Sequence, residues 1–328
     1  MNSTELSFGM VILLQFSLGL SVNVFLLLFY IRVVSTSHKP NSSDLILAHL
    51  ALANTIILLT GGILETLSAW GLRNFLDDVG CKILIYLYRV ARGLCICTTC
   101  LLSIFQAITI SPGTFWWAGI KAKLPKCILP SCALSWVINL LIDLDIPIYM
   151  RSPQNNSGNV RTILDLKYCC EIIESAETTL AITVMLSFRD LFFMGLMSTA
   201  SSYMVFVLHR HHRQVQHLHG PGHSPRAMPE VRAAKRVIAL VTAYVLLYGR
   251  QTIMLSVLVN MKEKSPLLVK SHLVFLLTFS AFSPFLIIQS DRRIRTFWKR
   301  ETCSQPGSLL AFEDSCLPSP RSPCEQHG

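Results

Sequence analysis

Long apolar runs separated by short polar stretches set the architecture of this chain. A helix needs about 20 mostly apolar residues to cross the hydrocarbon core of a bilayer. Seven segments reach that length, at approximately 7–31, 45–69, 83–110, 127–149, 180–208, 236–259 and 267–289. Lipid offers no partner for backbone polar groups, so apolar runs of this length predict helices. The expected fold is an all-α membrane protein, a bundle of seven transmembrane helices. The first run begins almost at Met1 with no basic stretch ahead of it, and reads as a first span rather than a cleaved signal peptide. Beyond the seventh run, Ile294, Phe297 and Trp298 recur at i, i+3 and i+4 among basic residues. That spacing predicts a short helix over 291–300 lying in the membrane interface. Residues 1–300 have no internal linker and read as one domain. The Ser- and Pro-rich stretch 301–328 reads as a disordered tail, with Cys303 a candidate for palmitoylation.

Composition agrees with the pattern. Of 328 residues, 52% are hydrophobic and only 15% charged, with a mean hydropathy of +0.48, where a globular chain is about a quarter charged. The net charge of +10 is not gathered into one patch suited to nucleic acid. Positive charge is richer in alternate loops, and that asymmetry predicts orientation. One set of loops carries Arg32 and Lys39, Lys121 and Lys123, then Arg210, Arg213, Arg226, Arg232, Lys235 and Arg236. It ends with Arg292, Arg293, Arg295, Lys299 and Arg300. The other set is poorer in base and holds Asp77, Asp78, Asp165, Glu171, Glu174 and Glu177. The basic set is predicted to be cytoplasmic, which puts the N-terminus outside and the C-terminus inside. The sequons at Asn2 and Asn155 then face outward, Asn155 being the better placed because Asn2 lies so close to the membrane. The sequon at Asn41 faces inward and should stay bare.

Two clusters invite a metal reading and do not sustain it. Cys95-Ile-Cys-Thr-Thr-Cys100 has ligand-like spacing, but it sits in the third apolar run. Residues two apart on a helix point about 200° away from each other, so Cys95 and Cys97 do not converge on one ion. Small polarizable side chains at a tight helix interface are the simpler reading. The run "HRHHRQVQHLHGPGH" holds six histidines but follows the fifth span directly, where a solvated basic loop is expected. No nucleophile triad, phosphate loop or zinc-protease motif occurs, so neither an enzyme nor a resident cofactor or metal is expected.

The strings "HLALANTIILLT" (49–60), "RVARGLCICTTCLLSIFQAITISP" (89–112), "FRDLFFMGLMSTASSYMVFVLHRHHRQVQHLH" (188–219), "SPRAMPEVRAAKRVIALV" and "SPFLIIQSDRRI" resemble the vomeronasal type 1 receptors. These are pheromone receptors within the G-protein-coupled superfamily, and the resemblance runs to about residue 300. Asn23, Asn54 and Trp136 are similar to landmarks of rhodopsin-like receptors. Gln106 replaces the usual Asp-Arg-Tyr arginine, and Ser283-Pro284 stands where Asn-Pro is usual. Gln106 lies 25 residues after Cys81, or about 37 Å along a helix, enough to reach the inner surface. The resemblance implies a plasma-membrane chemosensory receptor that binds a small apolar or amphipathic ligand and activates an inhibitory-type heterotrimeric G protein. Gln106, Arg210 and Arg236 are the candidate G-protein-facing residues. A bitter-taste-type receptor, a seven-span transporter and a non-sensing accessory member of the vomeronasal family are the alternatives.

Cysteines on the oxidising outer side predict a disulfide from Cys81 to Cys169 or its neighbour Cys170. Charged residues inside spans face a cavity or a partner. Arg89 and Arg92 share one face of the third helix, about 12 and 17 Å below Cys81. They could fork onto an anionic or polar ligand head, or pair with Glu65, Asp143 or Asp145. Arg250, in a stretch that departs from the family pattern, could add a third cation to such a pocket or pair with an acid. Arg189 and Asp190 suit local pairing. Arg89, Arg92, Arg250 and Glu65 are the candidate ligand residues.

Overall fold

The computed structural model describes residues 3–36, 41–72, 75–112, 115–151, 162–165, 169–172, 176–219, 229–260, 277–291 and single positions between 268 and 296. Helix α1 spans Ser3–Thr36; α2 (Ser42–Ile57) continues through a π-helical turn, Leu58–Gly62, into α3 (Ile63–Ala69). Then follow α4 (Asp78–Ile110), α5 (Phe115–Ile142), the single-turn α6 (Asp145–Tyr149), α7 (Ala176–His219), α8 (Pro229–Asn260) and α9 (Thr278–Ser290). Among the described residues, five stretches are long and apolar enough to cross a membrane: Leu6–Thr36, Ser42–Ala69, Asp78–Ile110, Trp117–Ile148 and Leu180–His211. Thr278–Gln289 is a shorter apolar helix, and α8 covers the sixth apolar run.

The fourth run, expected to 149, breaks at a turn after Ile142. Several helices instead outrun the apolar segments, because a backbone ladder continues past the lipid boundary wherever capping and propensity allow. Thus α7 extends to His219, so histidines of the expected loop, His209 and His211 among them, lie on a helix. Local chemistry fixes the ends. Asn41 and Asp77 cap α2 and α4, accepting from the backbone N–H of Ser43 (3.3 Å) and Gly80 (2.9 Å). The turn after α3 needs Gly71 at φ 90°; the Gly71 and Leu72 amides bond back to Ser68 and Leu67 in a Schellman pattern.

The α2–α3 stretch and α4 are the centre of the bundle: 72% of the most apolar window of each is buried, against 22% in α1 and 11% in α7. Phe188, Leu191 and Phe192 of α7 turn outward, as lipid-facing residues should. Helix approach depends on small residues. In the π-helical turn, a Cβ on Gly62 would come within 2.6 Å of the Phe16 ring. Pro284 inside α9 lacks an N–H and frees the Ser280 carbonyl one turn earlier. Asn23 of α1 satisfies it, its Nδ2 donating to Ser280 O at 2.8 Å. Asn54 Nδ2 of α2 donates to Ser283 Oγ at 3.0 Å, so the expected landmark residues tie α1, α2 and α9 together.

Two features lie outside the expected all-helical pattern. A small antiparallel sheet follows α6, with β1 (Met150–Arg151), β2 (Thr162–Asp165) and β3 (Cys170–Ile172) in the order β1-β3-β2. The other is the π-helical turn. Met1–Leu286 forms one unit and Ile287–Gly328 another. In the latter, Asp291 accepts from the Arg293 backbone and guanidinium (2.9 and 3.1 Å) and Ile294 is buried. Phe297, Trp298 and the tail 301–328 lie outside the described residues.

Candidate functional site

Cys81 near the start of α4 is disulfide-linked to Cys169, just before β3, with Cα atoms 5.8 Å apart. The link draws the sheet onto α4, and Leu64, Ile85 and Ile146 pack around it. Below this cluster, charged residues of α4, of the turn after α5, of α6 and of α7, joined by Tyr248 of α8, form one continuous chain. Arg89 Nε donates to Asp143 Oδ1 (3.2 Å) and its Nη1 to Asp145 Oδ2 (3.0 Å). Arg189 reaches the other Asp143 oxygen through Nη1 (3.3 Å), also contacts Asn139 Oδ1 (3.3 Å), and donates through Nε to Asp190 Oδ1 (3.0 Å). The Tyr248 hydroxyl donates to Asp190 Oδ2 and accepts from Arg92 Nη2 at 2.5 Å. The Arg92 guanidinium also lies over the Tyr248 ring, 4.6 Å from its centroid. Tyr248 stacks on Tyr244 (5.2 Å), which meets Phe279 edge-on (4.7 Å).

Each helix is held in place for this. Asp143 and Asp145 flank the turn at the end of α5, so both face Arg89. Gly93, one turn below Arg89, allows Asn139 and Arg189 to cross α4 closely: a Cβ there would overlap Asn139 Oδ1 and lie 3.1 Å from Arg189 Nη1. Asp143 is fully buried and Arg189 nearly so. Buried charges survive only when paired in this way. Arg89, Arg92 and Arg189 carry three positive charges, and Asp143, Asp145 and Asp190 three negative, so the chain of contacts is neutral.

The remaining predicted residues are placed as follows. Glu65 is buried in α3, within electrostatic range of Tyr88. Arg250 lies further along α8, its guanidinium 3.3 Å from the centroid of the Phe275 ring. Gln106 is buried near the opposite end of α4 and donates to Ser43 Oγ (3.2 Å). Arg210 is exposed on α7 and Arg236 half-buried on α8. Asn155 and Asn2 lie outside the described residues. The buried thiols diverge: Cys95 donates to Asn54 Oδ1 on α2, whereas Cys97 accepts from Asn139 on α5, each at 3.5 Å. Among the described residues, no three His, Cys, Asp or Glu side chains are grouped to hold a metal ion.

The sequence profile of the vomeronasal organ pheromone receptor family matches residues 6–300. The chain belongs to this family. Olfactory receptor class A-like protein 1 of Danio rerio is 35% identical over 307 residues, 93% of this chain and 95% of that protein. Vomeronasal type-1 receptor 4 of Homo sapiens is 36% identical over 303 residues, 92% of this chain and 100% of that one. The fold is that of squid rhodopsin, whose crystal structure superposes with a TM-score of 0.69 at 16% identity, covering 93% of this chain and 89% of the other. This vomeronasal type 1 receptor is therefore a chemosensory G-protein-coupled receptor, a multi-pass membrane protein. Its family and fold are those of a receptor, not of an enzyme class.

The arginines of α4 and their aspartate neighbours are the part of this candidate site visible in sequence. Tyr248 and Asn139 carry no such signal. Tyr248 is 156 positions from Arg92, and nothing local marks a tyrosine on α8 as the bridge between an arginine and an aspartate.

Proposed function

We propose that the receptor takes a small apolar or amphipathic, pheromone-like molecule from the extracellular side, at the disulfide end of the bundle, and activates an inhibitory-type heterotrimeric G protein. Arg92 carries the reading. Arg89 and Arg189 each contact two carboxylates, while Arg92 contacts a phenol; its Nε, like Nη2 of Arg89, is buried with no hydrogen-bond partner among the described residues. A buried donor left open in this way is complementary to an acceptor on a bound molecule. Arg250 has a buried Nη1 in the same condition, and with Glu65 completes the proposed polar lining. The basic loops put the N-terminus and Asn155, as a glycan site, outside. Gln106, Arg210 and Arg236 would then face the G protein.

The reading is tested by screening amphipathic volatile and steroid-like compounds on surface-expressed receptor, with and without pertussis toxin. The expected result is ligand-evoked signalling that the toxin abolishes. Signalling that the toxin leaves intact would remove the inhibitory-type assignment.

A further inference from the structure

At the end of the bundle opposite the disulfide, α4 terminates in a junction of three helices. Ser111 is the C-cap, buried, with its backbone already extended at ψ 149° and Pro112 following. Its hydroxyl donates to Ala107 O at 2.8 Å. A serine has one hydroxyl proton, so in the 3.0 Å contact between Ser111 Oγ and Tyr203 OH the tyrosine is the donor. The Ser111 carbonyl, among those that α4 leaves open at its end, accepts from Lys121 Nζ of α5 at 2.7 Å. The lysine charge there also complements the negative end of the helix dipole. Trp117 of α5 packs against the Tyr203 ring, centroids 6.2 Å apart. Gln106, the nearby polar residue on α4, is turned the other way, toward Ser43 of α2.

We propose that Tyr203, Ser111 and Lys121 form a latch that holds α7 against the end of α4 in the resting arrangement, and that signalling requires its release. A single phenol proton carries the α4–α7 bond, and Lys121 fixes the serine that receives it. The latch is uncharged between α4 and α7, in a chain where glutamine occupies the position of the usual arginine. A contact of this kind stabilises one of two helix arrangements, and its removal shifts the population toward the other.

The proposal rests on the reading that the protein activates a G protein, and one experiment separates the two. Purified wild-type, Tyr203→Phe, Ser111→Ala and doubly substituted receptor, in lipid nanodiscs without added ligand, are assayed for nucleotide exchange on an inhibitory-type heterotrimer. Tyr203→Phe keeps the ring against Trp117 and should raise basal exchange about fivefold, the effect of one hydrogen bond. Ser111→Ala should do the same, and the double variant should exceed neither, because all three remove one bond. Should Ser111→Ala fail to fold, Tyr203→Phe decides alone. Folded Tyr203→Phe with basal exchange at or below the wild-type rate, or single effects that multiply, would overturn the latch while leaving coupling intact. Absence of exchange in every form, wild type included, would overturn the coupling reading and the latch with it.

Discussion

Asp143 holds two arginines at once, accepting from Arg89 at 3.2 Å and Arg189 at 3.3 Å from a fully buried position. Removing its charge would leave Arg89 with Asp145 alone and Arg189 with Asp190 alone, each short of one carboxylate contact. Breaking such a pair from one side costs about 3–5 kcal/mol. Asp143→Asn should therefore fold poorly and reach the cell surface at a small fraction of the wild-type level, read by surface immunostaining against total protein. Normal surface density would mean that the aspartate is dispensable for packing. Arg92 differs in kind. Its neighbour is a phenol and its charge is only indirectly balanced by Asp190, so its replacement should spare folding more than that of Asp143.

At the scale of the helices, the apolar runs were legible because lipid leaves the backbone few choices. Length and hydropathy together located the bodies of the described helices, while most of 267–277 in the expected seventh run lies outside the described residues. The ends were not legible in the same way. Extension of α7 to His219 depends on helix propensity outside the lipid, and the histidine-rich composition there looks like a loop. At the π-helical turn Leu58–Gly62 the Tyr88 and Phe16 rings pack close on Gly61 and Gly62, tertiary contacts that local sequence does not show. The three-stranded sheet is made of segments two to four residues long, too short for alternation to show. In the site, Glu65, Asp143 and Asp145 were legible as possible partners of Arg89 and Arg92 because all lie toward the same ends of their spans, but not which acid meets which arginine. The link from Arg92 through Tyr248 to Asp190 needed the rotation of α8 and α7, which periodicity does not supply.

The whole molecule presents its charge asymmetrically, and that asymmetry supplies the proposed topology. A glycan is expected on Asn155 and none on Asn41. Treatment with a glycosidase should remove a mobility shift that disappears in Asn155→Gln; loss of the shift in Asn41→Gln instead would invert the proposed orientation. The neutral chain of ion pairs spans the disulfide end, whereas the contacts described at the opposite end, Gln106–Ser43, Tyr203–Ser111 and Lys121–Ser111, include no carboxylate–cation pair. This division suits a receptor that reads a ligand at one end and meets its G protein at the other.

Concentration–response curves for Arg92→Ala and Arg92→Lys, with surface expression measured alongside, test most directly whether the ligand is read at the disulfide end. For a ligand with an anionic or strongly polar head, loss of a charge-assisted hydrogen bond in Arg92→Ala should cost about 1.5–3 kcal/mol, a potency loss of roughly ten- to a hundredfold. Arg92→Lys should recover only part of it, because an ammonium does not reproduce the planar fork. Arg92→Ala that reaches the surface normally and answers every such ligand with unchanged potency would contradict the account, and would make Arg92 a structural partner of Tyr248 alone.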